Sequence, residues 1–146
     1  MADMQLLRGY QRVVLDAALV GNALCVLPTG AGKTLIAARL IQEHLQFAGC
    51  KALFLTDRIP LVFQQGAVIE AQTGLGVARI CGEKTLLSNP KSVVAEHPVH
   101  VIIASLFFKR QQQNTMSFAH YSLVVIDEAH HTFKKHFFNQ VMQKLY

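Results

Sequence analysis

Five short apolar runs are spaced along the chain, at 23–27 (ALCVL), 52–56 (ALFLT), 77–81 (VARIC), 99–104 (VHVIIA) and 123–127 (LVVID). None alternates polar with apolar residues. A strand with one face in water does alternate, so continuous runs of this length predict strands buried on both faces, as in a parallel sheet. Helical periodicity fills the intervals. Tyr10, Val13, Val14, Ala17 and Ala18 recur at helical spacing up to the stop at Gly21-Asn22. Leu35, Ile36, Leu40, Ile41 and Leu45 stripe a second helix that ends near Gly49. A third starts at Pro60 with Leu61, Val62 and Phe63, and Gly66 counts against it. Asn89-Pro90 reads as a cap and first turn of a short helix to about Glu96, and Phe138, Val141, Met142 and Leu145 stripe a last one. Strand–helix–strand order with short links predicts an α/β domain: a mostly parallel sheet of five or more strands with helices on both faces.

Composition narrows the classes further. The 146 residues suit one domain, and with 51% hydrophobic and 16% charged residues the chain is globular rather than disordered. No apolar run approaches the roughly 20 residues of a membrane helix. The start, MADMQLLRGYQ, has neither the basic nor the apolar region of a secretory signal. Cys25, Cys50 and Cys81 form no CxxC pair, which argues against a zinc or disulfide framework and suits a reducing compartment, the cytoplasm or nucleus. A net charge of +5 permits a polyanionic partner, but the Lys and Arg residues are scattered and Lys134-Lys135 is too short for a patch.

The segment 27–34, LPTGAGKT, carries the most chemistry. It follows the first apolar run and opens the second helix, the setting in which a glycine-rich loop wraps phosphates. Gly30 and Gly32 let the backbone of the Pro28, Thr29, Gly30, Ala31 and Gly32 stretch curl so that the N–H groups after Pro28 point inward, and the helix N-terminus adds its positive end. Lys33 can reach the outer phosphates and the Thr34 hydroxyl can hold Mg²⁺. Such loops usually open with Gly, where this chain has Leu27.

The second chemical feature is VVIDEAHH at 124–131. A phosphate site with Mg²⁺ needs a carboxylate at the end of a neighbouring apolar strand. Asp127 fits, acting on the metal through a bound water, and Glu128 can orient or deprotonate an attacking water. Asp127, Glu128 and Lys33 are thus the candidate catalytic residues, and Thr34 and Asp127 the candidate metal residues. A phosphotransferase excludes water, so the adjacent Glu128 favours hydrolysis over kinase chemistry. The rival, a zinc site from Asp127, Glu128, His130 and His131, lacks HExxH spacing. His131 by itself reads as structural.

With LPTGAGKT and DEAH in one chain, the sequence resembles the first RecA-like domain of a superfamily 2 helicase or translocase of the DEAH/DExH kind, over nearly its whole length. The resemblance implies ATP and Mg²⁺ as cofactors, nucleic acid as partner, and several further roles. LRGYQ at 7–11 resembles the upstream adenine-reading motif, which assigns Gln11 and Arg8 to the base. FLTDRIPLVFQQ at 54–65 resembles motif Ia, whose turn touches the nucleic-acid backbone, here at Thr56, Asp57 and Arg58. IIASLF at 102–107 occupies the later backbone-contacting motif, with Ser105 where relatives often have Thr. His130 would couple the ATP site to a second domain.

Within that superfamily, VVIDEAHHTFKKHFFNQVMQKLY at 124–146 resembles the Dicer, RIG-I-like and FANCM/Hef group, with Phe138 where Tyr is common and Val141-Met142 matching. The N-terminal YQRVVLDAALVGNALCVLPTGAGKT also resembles Dicer-type helicase regions. The resemblance points to a module of a motor on duplex RNA first. DNA-directed translocases of the FANCM/Hef or restriction type, and a non-catalytic nucleotide-binding remnant, are the alternatives. Residues 132–146 hold neither the Ser-Ala-Thr-type motif nor the second RecA-like domain with its arginine finger. The expectation is therefore a truncated domain 1 over residues 1–146, near inactive by itself.

Overall fold

The computed structural model describes residues 6–28, 30–47, 49–82 and 96–128. Four of the five apolar runs become strands: β1 (Ala52–Thr56), β2 (Val77–Ile80), β3 (Val99–Ile103) and β4 (Leu123–Ile126). All pairings are parallel, in the order β2-β3-β1-β4. Strand β1 has neighbours on both sides, and all five of its residues are buried. Successive side chains point to opposite faces, so β1 feeds two cores. Leu53 and Leu55 pack with Ile80, Ile102, Phe107 and Met116, while Ala52 and Phe54 pack with Ile41, Val62, Ile69, Val99 and Val101.

Four helices flank this sheet: α1 (Gly9–Val20), α2 (Lys33–His44), α3 (Ile59–Thr73) and α4 (Ala104–Gln112). Helices α2 and α3 cover one face through Ala38, Ile41, Val62 and Ile69, and α4 covers the other through Ala104 and Phe107. The layered α/β architecture expected from the sequence is present. No helix among the described residues is long and apolar enough to cross a membrane.

Four local expectations need correction. The run 23–27 forms no strand, so the described sheet has four strands rather than five or more. Leu24 and Val26 are 79% and 80% exposed. A strand exists only where its backbone groups find a partner, and among the described residues nothing pairs with this run. Strand β4 forms one edge of the sheet, and its four residues are only half-buried. Helix α1 forms, but its buried face is Gln11 and Leu15, while Tyr10 and Val13 are exposed. Gly66 does not interrupt α3. Its missing side chain makes room for Arg79, whose Nε would lie 2.7 Å from a Cβ at this position and whose guanidinium pairs with Glu70 at 2.7 Å. Lastly, the apolar run from 99 stops being strand at Ile103, and α4 starts at Ala104 with no side-chain cap to announce it. The helices expected at 89–96 and 138–145 lie outside the described residues, apart from Glu96.

Beneath α4, buried His100 and half-buried Tyr121 share a hydrogen bond of 2.7 Å, with their rings edge to face. Burial raises the Tyr121 pKa above its ordinary 10.0. Replacing Tyr121 by Phe should cost about 1–2 kcal/mol near neutral pH, the penalty for stripping a buried group of a partner. The parent's advantage should then shrink above pH 10. There the unfolded phenol ionises while the folded one keeps its proton, so parent stability falls as pH rises. Urea denaturation of both proteins at pH 7 and pH 10.5 checks the two statements together.

Candidate functional site

Every strand of a parallel sheet ends at the same edge, and ligands of such sheets bind there. Here the turn 56–58 after β1 lies between the end of β4, at Asp127, and the end of β3, at Ser105. The pairings Leu55 with Ile126 and Thr56 with Ile103 fix that juxtaposition.

The glycine-rich loop reaches this region ahead of α2. Gly30 and Gly32 have φ of +82° and +81°, the left-handed region that costs glycine nothing. Gly32 is also the N-cap of α2, and no side chain caps that helix end. The N–H groups of its first turn therefore lack intrahelical acceptors and are available to an anion. A Cβ on Gly32 would also meet Gln11 Nε2, the far end of a side chain that would have to shift. Lys33 and Thr34 form the first turn of α2 and are both half-buried. Thr29 lies outside the described residues.

Helix α1 is tied to the loop by two side chains. Gln11, only 3% exposed, accepts the Arg8 backbone N–H at 2.7 Å through its oxygen and donates to the Ala31 carbonyl at 3.0 Å through its nitrogen. The Tyr10 hydroxyl donates to the same carbonyl at 2.9 Å. Tyr10 was not among the residues expected at the site. Its place in LRGYQ was the only signal, and the helical stripe absorbed it. Arg8, Tyr10, Leu27, Pro28, Gly30 and Ala31 line an open cavity of about 400 Å³ beside the loop. Arg8 thus lies beside the loop residue Pro28.

At the other end of the site, the Asp127 N–H donates to the Leu55 carbonyl at 2.9 Å, extending the β4–β1 pairing by one residue. Asp127 Oδ1 accepts the Glu128 N–H at 3.0 Å, and Oδ2 lies 3.5 Å from Gln65 Nε2. Glu128 has φ of +55°, rare for a residue with a side chain. Burial raises the Asp127 pKa most, followed by the negative charge of Glu128, with a lesser push from Asp57. The Glu128 N–H and the Lys33 ammonium act in the opposite sense. The charges of Glu128, Lys33 and Asp57 are thus all felt at Asp127. Carboxylate and hydroxyl oxygens with excess negative charge suit Mg²⁺, which takes one or two carboxylates and completes its shell with phosphate and water.

The residues expected to meet nucleic acid divide. Arg58, the N-cap of α3, and Ser105, in the first turn of α4, are exposed. Asp57 is half-buried, and Thr56 is fully enclosed. His130 and His131 lie outside the described residues.

Comparison with known proteins agrees with this arrangement. The family model described as type III restriction enzyme, res subunit, matches residues 5–146. Protein Dicer of Schizosaccharomyces pombe is 32% identical over 97% of the chain, and Endoribonuclease Dicer homolog 1 of Arabidopsis thaliana is 34% identical over 95%. The chain spans only 11% and 8% of those two proteins. The crystal structure of the Pyrococcus furiosus Hef helicase domain superposes with a TM-score of 0.74 at 33% identity, over 86% of this chain and 27% of that one. The chain belongs to the type III restriction enzyme res subunit family, as the first RecA-like domain of a superfamily 2 helicase of the Dicer and Hef group.

Proposed function

We propose that this domain binds Mg²⁺-ATP and, within the complete protein, couples its hydrolysis to movement on nucleic acid. One observation carries the reading: α2 starts at Lys33 with no side-chain cap behind left-handed Gly30 and Gly32, and the end of β4 presents Asp127 with Glu128 bonded beside it. The bound metal would neutralise phosphate charge. Lys33 then holds the outer phosphates, and the backbone of Pro28, Thr29, Gly30, Ala31 and Gly32 surrounds them. Thr34 would hold Mg²⁺ through its hydroxyl and Asp127 would hold it through an intervening water, while Glu128 orients the attacking water and accepts its proton. Gln11 and Arg8 read the adenine, and Gln11 has a second amide hydrogen and a second oxygen lone pair for the base beyond those it uses on Ala31 and Arg8. His130 couples this site to a second RecA-like lobe, which supplies the arginine finger.

Arg58, Ser105, Asp57 and Thr56 are assigned to the nucleic-acid backbone. Thr56 can join only if its turn opens, since its hydroxyl is enclosed. Duplex RNA is the favoured track, because relatives over nearly the whole chain are endoribonucleases by name. The restriction-enzyme family and the Hef likeness make DNA the alternative. ATPase of the complete protein with duplex RNA, duplex DNA and single strands separates the two: stimulation by duplex RNA above duplex DNA supports the first and the reverse order the second.

Replacing Lys33 by Ala should remove a charge-assisted contact worth roughly 1.5–3 kcal/mol, about tenfold or more in affinity. Titration of residues 1–146 with a fluorescent ATP analogue in Mg²⁺ measures it. Equal affinity for variant and parent would defeat the assignment of the loop.

A further inference from the structure

Gln65 sits on the buried face of α3, between Val62 and Ile69, and is only 8% exposed. An apolar residue would serve packing better there, because a buried amide is costly unless its hydrogen bonds are made. The fold makes only part of them. Gln65 Nε2 approaches Asp127 Oδ2 at 3.5 Å, while Oε1 is buried with no hydrogen-bond partner among the described residues. Asp127 is held from both sides as a result: its other oxygen accepts the Glu128 N–H at 3.0 Å. A backbone donor on Oδ1 still leaves the carboxylate free to turn about its side-chain bonds. A second donor on Oδ2, from a different element 62 residues away in sequence, fixes its plane.

We infer that Gln65 is a positioning residue for Asp127, holding the carboxylate in the orientation that meets the metal-bound water, and that it ties this carboxylate to α3. This rests on the nucleotide-site reading above. The tie matters because α3 begins immediately after Arg58, in the turn assigned to nucleic acid. Seven residues of helix separate Arg58 from Gln65, about 10 Å along a rigid rod. A displacement of the turn is therefore delivered to the carboxylate through the Gln65 amide.

The test uses residues 1–146 and a fluorescent ATP analogue, titrated in Mg²⁺ and again in EDTA. Gln65→Met keeps length and bulk and deletes both polar atoms. It should reduce the Mg²⁺-dependent gain in affinity by about threefold to tenfold, the worth of one hydrogen bond, and leave the EDTA affinity unchanged. Gln65→Glu keeps the shape, removes the donor and adds a like charge beside Asp127, so its loss should be larger. In an Asp127→Asn background, Gln65→Met should add nothing, since the partner is already altered. An unchanged Mg²⁺-dependent gain in both Gln65 variants would overturn the inference, as would equal losses in Mg²⁺ and EDTA, which is what simple core damage produces. Lys33→Ala run alongside separates the two failures. If it loses affinity while the Gln65 variants behave as the parent, only the positioning role falls. If it binds as the parent does, the site reading falls and takes this inference with it.

Discussion

Glu128→Gln in the complete protein should bind Mg²⁺-ATP as the parent does and lose most of its turnover, about 10²–10⁴-fold. The amide keeps the size and the hydrogen-bonding shape of the carboxylate and gives up only the ability to take a proton. The backbone supports this assignment. Glu128 holds φ of +55° immediately after Asp127, a conformation that costs a residue with a side chain about 1 kcal/mol or more and that concentrates at functional sites. Its N–H is committed to Asp127 Oδ1, which fixes the two carboxylates relative to each other. Asp127→Asn should behave differently. It removes charge from the metal side, so the Mg²⁺ concentration needed for half-maximal binding should rise. Steady-state turnover and analogue binding on both variants distinguish the roles, and parent-like turnover in Glu128→Gln would remove Glu128 as the base.

The second large effect concerns residues 1–146 in isolation. ATP binding uses one open face, where Gln11, Lys33, Thr34, Asp127 and Glu128 are assigned. Fast hydrolysis also needs a cation against the transferring phosphoryl group, and an arginine finger is worth about 10³–10⁵ in rate. Among the described residues Arg79 pairs with Glu70, Arg12 with Asp16, Arg39 bonds Gln42, and Arg110 bonds Gln113, while Arg8 is assigned to the adenine and Arg58 to nucleic acid, so none is assigned to the transferring phosphoryl group. The isolated chain should therefore hydrolyse ATP slower than the complete protein by that factor, bind nucleic acid in a salt-sensitive way and unwind nothing. Steady-state ATPase with and without duplex RNA measures it. RNA-stimulated turnover by a monomer at the rate of the complete protein would place the missing cation within these residues.

What was legible in the sequence follows from what each residue had to do locally. Strand β1 was readable to its last residue because it is flanked on both sides, so buried apolar runs and observed strand coincide. The run 23–27 is similarly apolar but has no strand partner among the described residues, and composition cannot report whether a neighbour is present. Lys33 and Asp127 were readable because a glycine-rich turn and a strand-terminal carboxylate each have few other uses. The start of α4 was hidden because its N-cap is Ile103, an apolar residue continuing the strand pattern. Tyr10 and Gln65 were hidden for a shared reason. Each sits on a helix where its spacing suits packing or solvent, and its importance comes from a contact 21 or 62 residues away in sequence.

The most direct measurement is a backbone amide NMR titration of residues 1–146 with Mg²⁺-ATP. The account predicts the largest shifts at Gly30, Ala31, Gly32, Lys33 and Thr34, and a second group at Asp127 and Glu128 that depends on Mg²⁺. Lys33→Ala should abolish both groups at the same nucleotide concentration. Shifts confined to any other part of the sheet, or a loop that stays silent at saturating nucleotide, would contradict it.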